Sequence, residues 1–403
     1  MENKNVSLKV TATILSMSLL TVMAGAAIAP ALGIIKAHFS EADGLLVQLI
    51  VSMPALLIIV TNLLFLPISR RLRTRAIATT GLLLYVAAGA GCFFVGDIYV
   101  LLFMRALLGV SVGLIMPLST GLLAYYFPPE EQARLMGLSA AMNQMGGVVA
   151  TLLAGLLATI EWNYAFLVYL MGLVAVVMVW LWLPDEKLGS ANKRGIPFQP
   201  RQLLKFHPSV TGMLLLMMIF FIFPTNFAII ARQQTTLSTE AITMIMVGLD
   251  VVAFFVGLAF GQMMHTFRKS VKYFAPAFFL LGYAAYLLPS ELSIPNSQFS
   301  ISFILLGSAS IGIANGVGVP YLNTIASIKG GKNSATTVMP LLSAALYLGQ
   351  FVSPLVVMPL SKALFGNSLT APYKVGILLC IVFLVQVWAT RHFQSLPPAE
   401  NGK

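Results

Sequence analysis

Two charged residues, Arg105 and Asp250, lie deep inside apolar runs of this 403-residue chain. A charge at the centre of a membrane-spanning helix costs roughly 2.5–3.5 kcal/mol, so each is a functional candidate. Burial favours the neutral form of a carboxylic acid. Asp250 could therefore hold a proton and exchange it for a cationic substrate, and Arg105 could tune that proton site or hold one side closed. The alternative for both residues is structural: a hydrogen-bonded acid and a packed cation.

The stretch GVSVG at 109–113 fits two patterns with different chemistry. G-x-S-x-G is the nucleophile elbow of serine hydrolases, whereas G-x-x-x-G lets a second helix approach closely. An elbow needs a strand, a sharp turn and a nearby histidine. Both flanks here are apolar without a turn signal, and the histidines fall at span ends or in a polar linker. We therefore interpret Gly109 and Gly113 as helix-packing residues.

The composition predicts an all-α membrane protein. The chain is 58% hydrophobic and 9% charged, whereas soluble domains are about 25% charged. Apolar runs of at least about 18 residues, each long enough to cross a bilayer, recur throughout. Twelve transmembrane helices are predicted at about 9–33, 45–67, 76–95, 98–120, 136–159, 163–183, 209–231, 240–263, 272–290, 299–325, 335–361 and 372–390.

The longest hydrophilic stretch divides these helices into two groups of six. We predict an N-terminal half at 1–183, a cytoplasmic linker at 184–208 and a C-terminal half at 209–403. Of the 24 lysines and arginines, 19 fall in segments on the side of the N-terminus, four on the other side and one, Arg105, within the membrane. Positive charge concentrates on cytoplasmic loops. The net charge of +11 therefore predicts cytoplasmic termini in a multi-pass plasma-membrane protein, not a nucleic-acid partner.

The two halves contain similar segments. LLGVSVGL at 107–114 is similar to LLGSASIGI at 305–313, which pairs Gly109 with Gly307 at an offset of 198 residues. The basic loops SRRLRTR at 69–75 and HTFRKSVK at 265–272 are offset by 196 residues. Two pairs of similar segments with nearly the same offset indicate internal duplication. Repeated six-helix halves are typical of transporters that bind substrate near the bilayer midplane.

Local motifs resemble those of the major facilitator superfamily. Arg105-x-x-x-Gly109 resembles the family's arginine motif, YYFPPEEQARLMGL at 125–138 its loop into the fifth span, and WNYAF at 162–166 its turn into the sixth. The resemblance covers nearly the whole chain. It implies two pseudo-symmetric six-helix halves and secondary transport by alternating access.

The fifth span resembles the glycine motif of the drug/proton antiporter branch. Gly137, Gly146 and Gly155 match that motif, whereas Ala150 and Thr151 stand where a Gly-Pro pair is usual. Small residues at four-residue spacing still form a ridge that permits close packing against the other half. The missing proline leaves the kink of this helix, and the antiporter assignment, open.

The loop between the second and third spans departs from the family pattern. It reads FLPISRRLR, with Ser69 where the family has an aspartate, while Arg70 and Arg73 are retained. In the second half, His265 takes the acidic position and Lys269 is retained. We expect a gate at these loops to depend on basic side chains pairing with the negative ends of helices. The alternative is that the basic residues only set the topology.

The resemblance implies a substrate cavity lined by spans one, four, seven and ten. The candidate lining residues are aromatic or neutral and polar: Phe223, Asn226, Asn315, Tyr321 and Gln350. Such a lining suits a lipophilic or weakly cationic compound better than phosphate or a dicarboxylate. The alternative for the aromatic residues is ordinary helix packing.

The leading hypothesis is a secondary active transporter for proton-coupled efflux of lipophilic small molecules, acting as a monomer. The alternatives are an uptake symporter or facilitator for a small neutral metabolite, and a non-transporting membrane sensor on the same fold. An enzyme is disfavoured because the chain has no H-E-x-x-H motif, P-loop or credible triad. Cys92 and Cys380 lack metal-ligand spacing, so we expect neither a metal nor a cofactor.

Overall fold

The computed structural model describes residues 8–127, 129–186, 200–291, 298–330 and 338–390. All regular secondary structure within these ranges is helical. Twelve helical segments there are long and apolar enough to cross a membrane. Their ends lie within five residues of the predicted ones. The predicted all-α fold with twelve spans, numbered here in chain order, is therefore confirmed.

Several spans combine α-helix with short 3-10 helix. The α-helices are Leu8–Ala26, Leu32–His38, Gly44–Arg71, Thr74–Gly91, Ile98–Tyr126, Pro129–Leu157, Gly172–Trp182, Pro200–Gln234, Thr239–Phe267, Phe274–Glu291, Gln298–Gly330, Met339–Phe365 and Ala371–Ala389. The 3-10 helices are Ala29–Ala31, Cys92–Phe94, Trp162–Met171 and Arg268–Tyr273.

Span 1 is broken, which corrects the prediction of one continuous helix over 9–33. Its first helix ends at Ala26, and a turn and a 3-10 segment precede the second helix at Leu32. Pro30 lies in the 3-10 segment. Proline has no backbone N–H, so the carbonyl four residues earlier, that of Ala26, loses its helical partner. The break leaves the end of the first helix in need of other donors.

The chain forms two compact units. The first comprises Met1–Gly195 with Pro224–Val247, and the second comprises Ile196–Phe223 with Gly248–Lys403. The boundaries fall inside helices, between Phe223 and Pro224 in span 7 and between Val247 and Gly248 in span 8. The predicted halves on either side of the 184–208 linker remain a prediction.

Glycines bring spans 4 and 2 together in the first unit. A Cβ added to Gly109 would collide with the carbonyl oxygen of Pro54, and one added to Gly113 would lie 2.5 Å from the Cβ of Thr61. The two glycines lie one helical turn apart on one face. This face-to-face packing matches the G-x-x-x-G interpretation of GVSVG.

The second unit repeats this arrangement in a different register from the predicted one. Gly312 packs against Leu249 of span 8 just as Gly109 packs against Pro54 of span 2. The offsets are 203 residues for the glycines and 195 for their partners. Gly307, paired with Gly109 from sequence similarity, instead packs against Gly282 of span 9. The pairing at an offset of 198 is therefore wrong, because helix contacts depend on which face a glycine occupies.

Candidate functional site

Arg105 is fully buried within the first unit, at 0% exposure. Its Nε donates to the Ile50 carbonyl at 2.6 Å, and its Nη1 donates to the Tyr169 hydroxyl at 2.6 Å. Its Nη2 donates to the Ala24 carbonyl. One guanidinium therefore connects spans 1, 2 and 6 to its own span 4.

Both carbonyls need a donor from outside their own helix. The usual partner of the Ile50 carbonyl would be the N–H of residue 54, but residue 54 is a proline inside this helix. Ala24 lies two residues before the end of its helix, where carbonyls lack partners and carry the negative end of the helix dipole. Arg105 thus satisfies backbone acceptors that a proline and a helix break leave open.

Tyr169 completes this cluster. Its hydroxyl accepts from Arg105 and donates to the Ala24 carbonyl at 3.2 Å. Its ring lies 5.5 Å from that of Tyr85 in an edge-to-face arrangement, and the guanidinium carbon is 5.6 Å from the Tyr169 ring centroid. In the described part of the chain, the hydrogen-bond acceptors of Arg105 are two carbonyls and a phenol, all uncharged. Oriented dipoles therefore stabilise this buried cation.

Asp250, the other predicted coupling residue, lies half-buried in span 8 of the second unit. Its neighbour Leu249 turns its carbonyl towards Gly312 of span 10. Phe254 is half-buried one turn further on, whereas Gly257 is exposed. The structure therefore places the two deep charges in different units, and the proton-coupling role of both stays a prediction.

Four of the five predicted cavity residues belong to the second unit. Phe223 is 2% exposed and its ring stacks on that of Tyr286 at 6.1 Å. Tyr321 is buried, and Gln350 places its Nε2 3.9 Å from the sulfur of Met217. The Oδ1 atom of Asn315 is buried without a hydrogen-bond partner among the described residues.

Asn226, the fifth, belongs to the first unit and pairs with a residue that the sequence analysis missed. The Gln48 Nε2 donates to the Asn226 Oδ1 at 2.8 Å, and the Asn226 Nδ2 donates to the Thr225 hydroxyl at 3.0 Å. Gln48 and Asn226 are 3% and 4% exposed. The signal that could have found Gln48 is an amide inside the apolar run of span 2, because buried polar groups need partners.

The glycines of span 5 make close contacts in the first unit. Gly146 packs against the main chain of Leu19 in span 1, and Gly155 packs against the side chain of Thr243 in span 8. Ala150, between them, is fully buried. The predicted ridge of small residues at four-residue spacing thus contacts span 1 at Gly146, and Gly155, which lies off this spacing, contacts span 8.

The loop between spans 2 and 3 contacts the end of span 6 through basic side chains. Arg73 forms an ion pair with Asp185 at 2.9 Å, with the two side chains 61% and 33% exposed. The Nε and Nη2 of Arg75 donate to the Leu183 carbonyl at 3.1 and 2.7 Å. Arg70 is exposed. The predicted pairing with a helix C-terminus is therefore made by Arg75, since Leu183 follows the last residue of its helix.

Three further residues, one in the first unit and two in the second, lie beside the basic loops. Hydrogen bonding to the Glu186 carboxylate raises the pKa of the Tyr125 hydroxyl. In the second unit, His265 and Lys269 are exposed at the corresponding loop. Exposed ion pairs contribute little, about 0–1 kcal/mol each, so these basic side chains orient the loops more than they stabilise them.

A cavity of about 740 Å³ opens at one end of the first unit. The turn that precedes span 6 and the loop between spans 7 and 8 form its walls. The His38 ring stacks on that of Trp162 at 4.5 Å on one side. The remaining lining includes Glu161, Arg232 and Glu240. Its volume lies within the range of small-molecule sites, although its lining is more polar than usual.

Twelve spans, repeated helix packing and a buried cation define a polytopic helical membrane protein. The sequence profile of the Major Facilitator Superfamily matches residues 14–354. The chain belongs to this superfamily, whose members are transporters and not enzymes.

Individual relatives are more distant. Over 341 residues the chain is 26% identical to the quinolone resistance protein NorA of Staphylococcus aureus, covering 79% of this chain and 80% of that protein. A bacterial homologue of the human lysosomal transporter Spinster has a similar structure, with a TM-score of 0.75 at 17% identity over 98% of this chain and 97% of that one. The xylose transporter XylE of E. coli gives 0.71 at 15% identity over 98% of both chains. The likeness to these two structures shows the fold alone.

Proposed function

We propose that the protein exports lipophilic small molecules in exchange for protons. The observation that carries this proposal is the similarity to NorA, a quinolone resistance protein, over about four-fifths of both chains. The retained glycines of span 5 and the aromatic and amide residues predicted to line the cavity support it, because they suit an apolar substrate with few hydrogen-bonding groups.

The proposed orientation follows the distribution of positive charge. The short basic loop with Arg70 and Arg73 faces the cytoplasm, as do both termini, and the loop at 235–238 faces outward. The protein then works as a monomer in the plasma membrane. Cysteines introduced at Ser190 and Ser238 test this orientation with a membrane-impermeant reagent. Labelling of Ser238→Cys alone from outside supports it, whereas labelling of both from outside contradicts it.

Asp250 is the proposed site of the coupled proton. Among the acids in the part of the chain that the structure describes, Asp250 alone lies more than a turn from both ends of a span, eleven residues past the start of Thr239–Phe267. A carboxylic acid that is neutral without substrate and ionised with a cationic substrate would exchange one charge for another. Arg105, in the first unit, is proposed to keep its spans in the geometry that this exchange requires.

The test is a flux assay in proteoliposomes with an imposed pH gradient. The panel contains a quinolone, a lipophilic fluorescent cation, a neutral sugar and a nucleoside. We expect accumulation of the quinolone or the cation that stops when the gradient is collapsed. Transport of only the neutral compounds, or the same accumulation without a gradient, would contradict proton-coupled export.

Asp250→Asn separates the coupling role from a structural one. The amide keeps the shape of the side chain but cannot titrate, so we expect downhill exchange to continue and uphill accumulation to stop. Glu161→Gln, at an exposed acid, is the matched control and should keep uphill transport. Uphill transport that persists in Asp250→Asn would remove Asp250 as the coupling residue. Loss in Glu161→Gln alone would point to coupling through surface acids.

A further inference from the structure

Residues 224–247, here called the outer hairpin, belong by sequence to spans 7 and 8 but pack within the first unit. The hairpin begins at Pro224 and is followed by Gly248, both inside continuous helices. A proline removes one hydrogen bond from a helix, and a glycine weakens it. Each end of the hairpin therefore coincides with a position where its helix bends easily.

Close contacts with glycines fasten the hairpin to spans 1 and 5. A Cβ added to Gly33 of span 1 would lie 2.5 Å from the carbonyl oxygen of Ala228. Gly155 of span 5 presses against the side chain of Thr243, which is fully buried. Both contacts are non-directional packing that allows sliding or separation without an unsatisfied polar group.

The contact with span 2 is of another kind, because it is a hydrogen bond between two buried amides. Gln48 donates to Asn226 at 2.8 Å, yet the Oε1 of Gln48 has no partner among the described residues, and neither has the hydroxyl of Ser52 one turn later. A buried acceptor without a partner is unfavourable, and water would satisfy it if the hairpin moved away. The hydrogen bond between Gln48 and Asn226 therefore helps to hold the hairpin, while the unpartnered acceptor beside it lowers the free-energy cost of release.

The loop end of the hairpin is less tightly fastened. The cavity of about 740 Å³ separates the loop at 235–240 from the turn at 158–162. Few side chains fill this space, so packing at the tip contributes little to holding the hairpin. The hydrogen bond between Gln48 and Asn226, near the base of the hairpin, therefore contributes to how readily the hairpin leaves.

We propose that the Gln48–Asn226 pair is a latch that sets the rate at which the outer hairpin separates from spans 1, 2 and 5. Release bends spans 7 and 8 at Pro224 and Gly248 and opens the outward face of the first unit. Both residues act by positioning the hairpin. That the opened face is the outward one depends on the proposed orientation, whereas the latch depends only on contacts inside the first unit.

Thr243 gives a direct readout of this release. In a background with Cys92→Ser and Cys380→Ser, both native thiols being buried, the variant Thr243→Cys places a thiol under Gly155. A membrane-impermeant maleimide reaches it only when the hairpin separates. Loss of a hydrogen bond between buried groups changes an equilibrium by about tenfold, so Gln48→Leu should raise the labelling rate about tenfold.

The matched control breaks a similar bond elsewhere in the first unit. Thr21 of span 1 donates to Asn143 of span 5 at 2.8 Å, and neither residue belongs to the hairpin. Asn143→Leu should leave the labelling of Thr243→Cys unchanged. An unchanged rate in Gln48→Leu, or an equal rise in Asn143→Leu, would overturn the proposal.

One further variant keeps the test independent of folding and of transport. Exchange of the amides in Gln48→Asn with Asn226→Gln should restore slow labelling, which a general loss of stability would not allow. Rapid labelling in the exchanged variant would overturn the latch. Because labelling needs neither substrate nor a pH gradient, failure of proton-coupled export would leave this result intact.

Discussion

The two units build the same region of their bundles from different chemistry. In the first unit a buried arginine, Arg105, donates to the carbonyls of Ala24 and Ile50. Arg105 and Ser308 are 203 residues apart, the offset that relates Gly109 to Gly312. The counterpart of the buried cation is thus a serine, which shares a 2.6 Å hydrogen bond with Tyr286.

The backbone acceptors of the two clusters also correspond. Leu214 packs against Gly349 as Leu19 packs against Gly146, which relates spans 1 and 7 at an offset of 195 residues. Ala24 and Ile219 are separated by the same offset, and both carbonyls accept side-chain hydrogen bonds. The donor to Ala24 is Arg105 together with a tyrosine, whereas among the described residues the side-chain donor to Ile219 is Tyr283. The duplicated fold therefore needs a donor at this point, but it does not need a charge there.

The tyrosines show the same divergence. In the first unit Tyr169 is hydrogen-bonded to Arg105 and lies three residues before Gly172, which packs on Tyr85. Its counterpart Tyr373 lies three residues before Gly376, which packs on Tyr283. Tyr373 stacks on Tyr283 at 5.8 Å and has no hydrogen-bond partner among the described residues. A neutral cluster meets the structural requirement at lower cost than a buried cation does. We propose from this difference that the guanidinium of Arg105, with its charge and its three hydrogen bonds, serves the transport cycle.

The largest effect on stability is expected from Arg105→Leu. The substitution keeps the apolar volume but leaves the Ile50 carbonyl without a donor, since residue 54 is a proline. We expect a loss of about 3 kcal/mol, the upper part of the range for stranded buried acceptors. The thermal midpoint of the purified protein in detergent measures it. A midpoint equal to that of the unmodified protein would show that the carbonyl finds another donor.

The glycine contacts should respond equally in the two units. Gly109→Ala brings a methyl group against Pro54, and Gly312→Ala brings one to 2.7 Å from the Leu249 carbonyl oxygen. We expect each to cost about 1–3 kcal/mol through overpacking, seen as reduced yield and a lower thermal midpoint. Gly121→Ala, which meets nothing within 4 Å, is the control and should be neutral. Tolerance of Gly312→Ala alone would contradict the register with an offset of 203.

Removal of a tyrosine hydroxyl distinguishes the clusters directly. Tyr169→Phe removes an acceptor from Arg105 and a donor from Ala24, and should cost about 1.5–3 kcal/mol because one partner is charged. Tyr373→Phe removes a hydroxyl without a partner and should be neutral or slightly stabilising. Thermal midpoints of the two variants give the comparison. Equal losses would mean that Tyr373 has a polar role of its own.

The smallest effect is expected from Ser308→Ala. It breaks the hydrogen bond to Tyr286, so we expect a loss of about 1 kcal/mol with transport retained. The initial rate of transport and the thermal midpoint are measured together. A large loss of transport without a change in midpoint would assign the second cluster a part in the cycle.

The sequence predicted the spans well because each depends on a local run of apolar residues. It also singled out Arg105, because a charge in such a run is costly. It did not predict Tyr169 or Gln48 as partners, since those contacts join helices far apart in the chain. The role of Pro54 in leaving the Ile50 carbonyl open could have been read from the sequence, but the donor could not.

The register of the repeat shows the same limit. Sequence similarity pairs Gly109 with Gly307, whereas the helix contacts pair Gly109 with Gly312. Insertions between the related spans change the offset from 195 to 203 residues, and sequence similarity in short apolar segments does not resolve the shift of five residues between Gly307 and Gly312. The break of span 1 could be predicted only in part. Pro30 indicates that the helix breaks, but it does not show at which residue the first helix ends.

The central claim is that the charged cluster of the first unit serves transport and the neutral cluster of the second unit serves structure. Accumulation driven by a pH gradient in proteoliposomes tests it most directly, with Arg105→Lys and Ser308→Ala measured at equal amounts of folded protein. A lysine keeps the charge but cannot reproduce the fork of three hydrogen bonds. We predict that Arg105→Lys loses most accumulation while remaining monodisperse, and that Ser308→Ala keeps it. Full accumulation in Arg105→Lys, or equal loss in both variants, would contradict the claim.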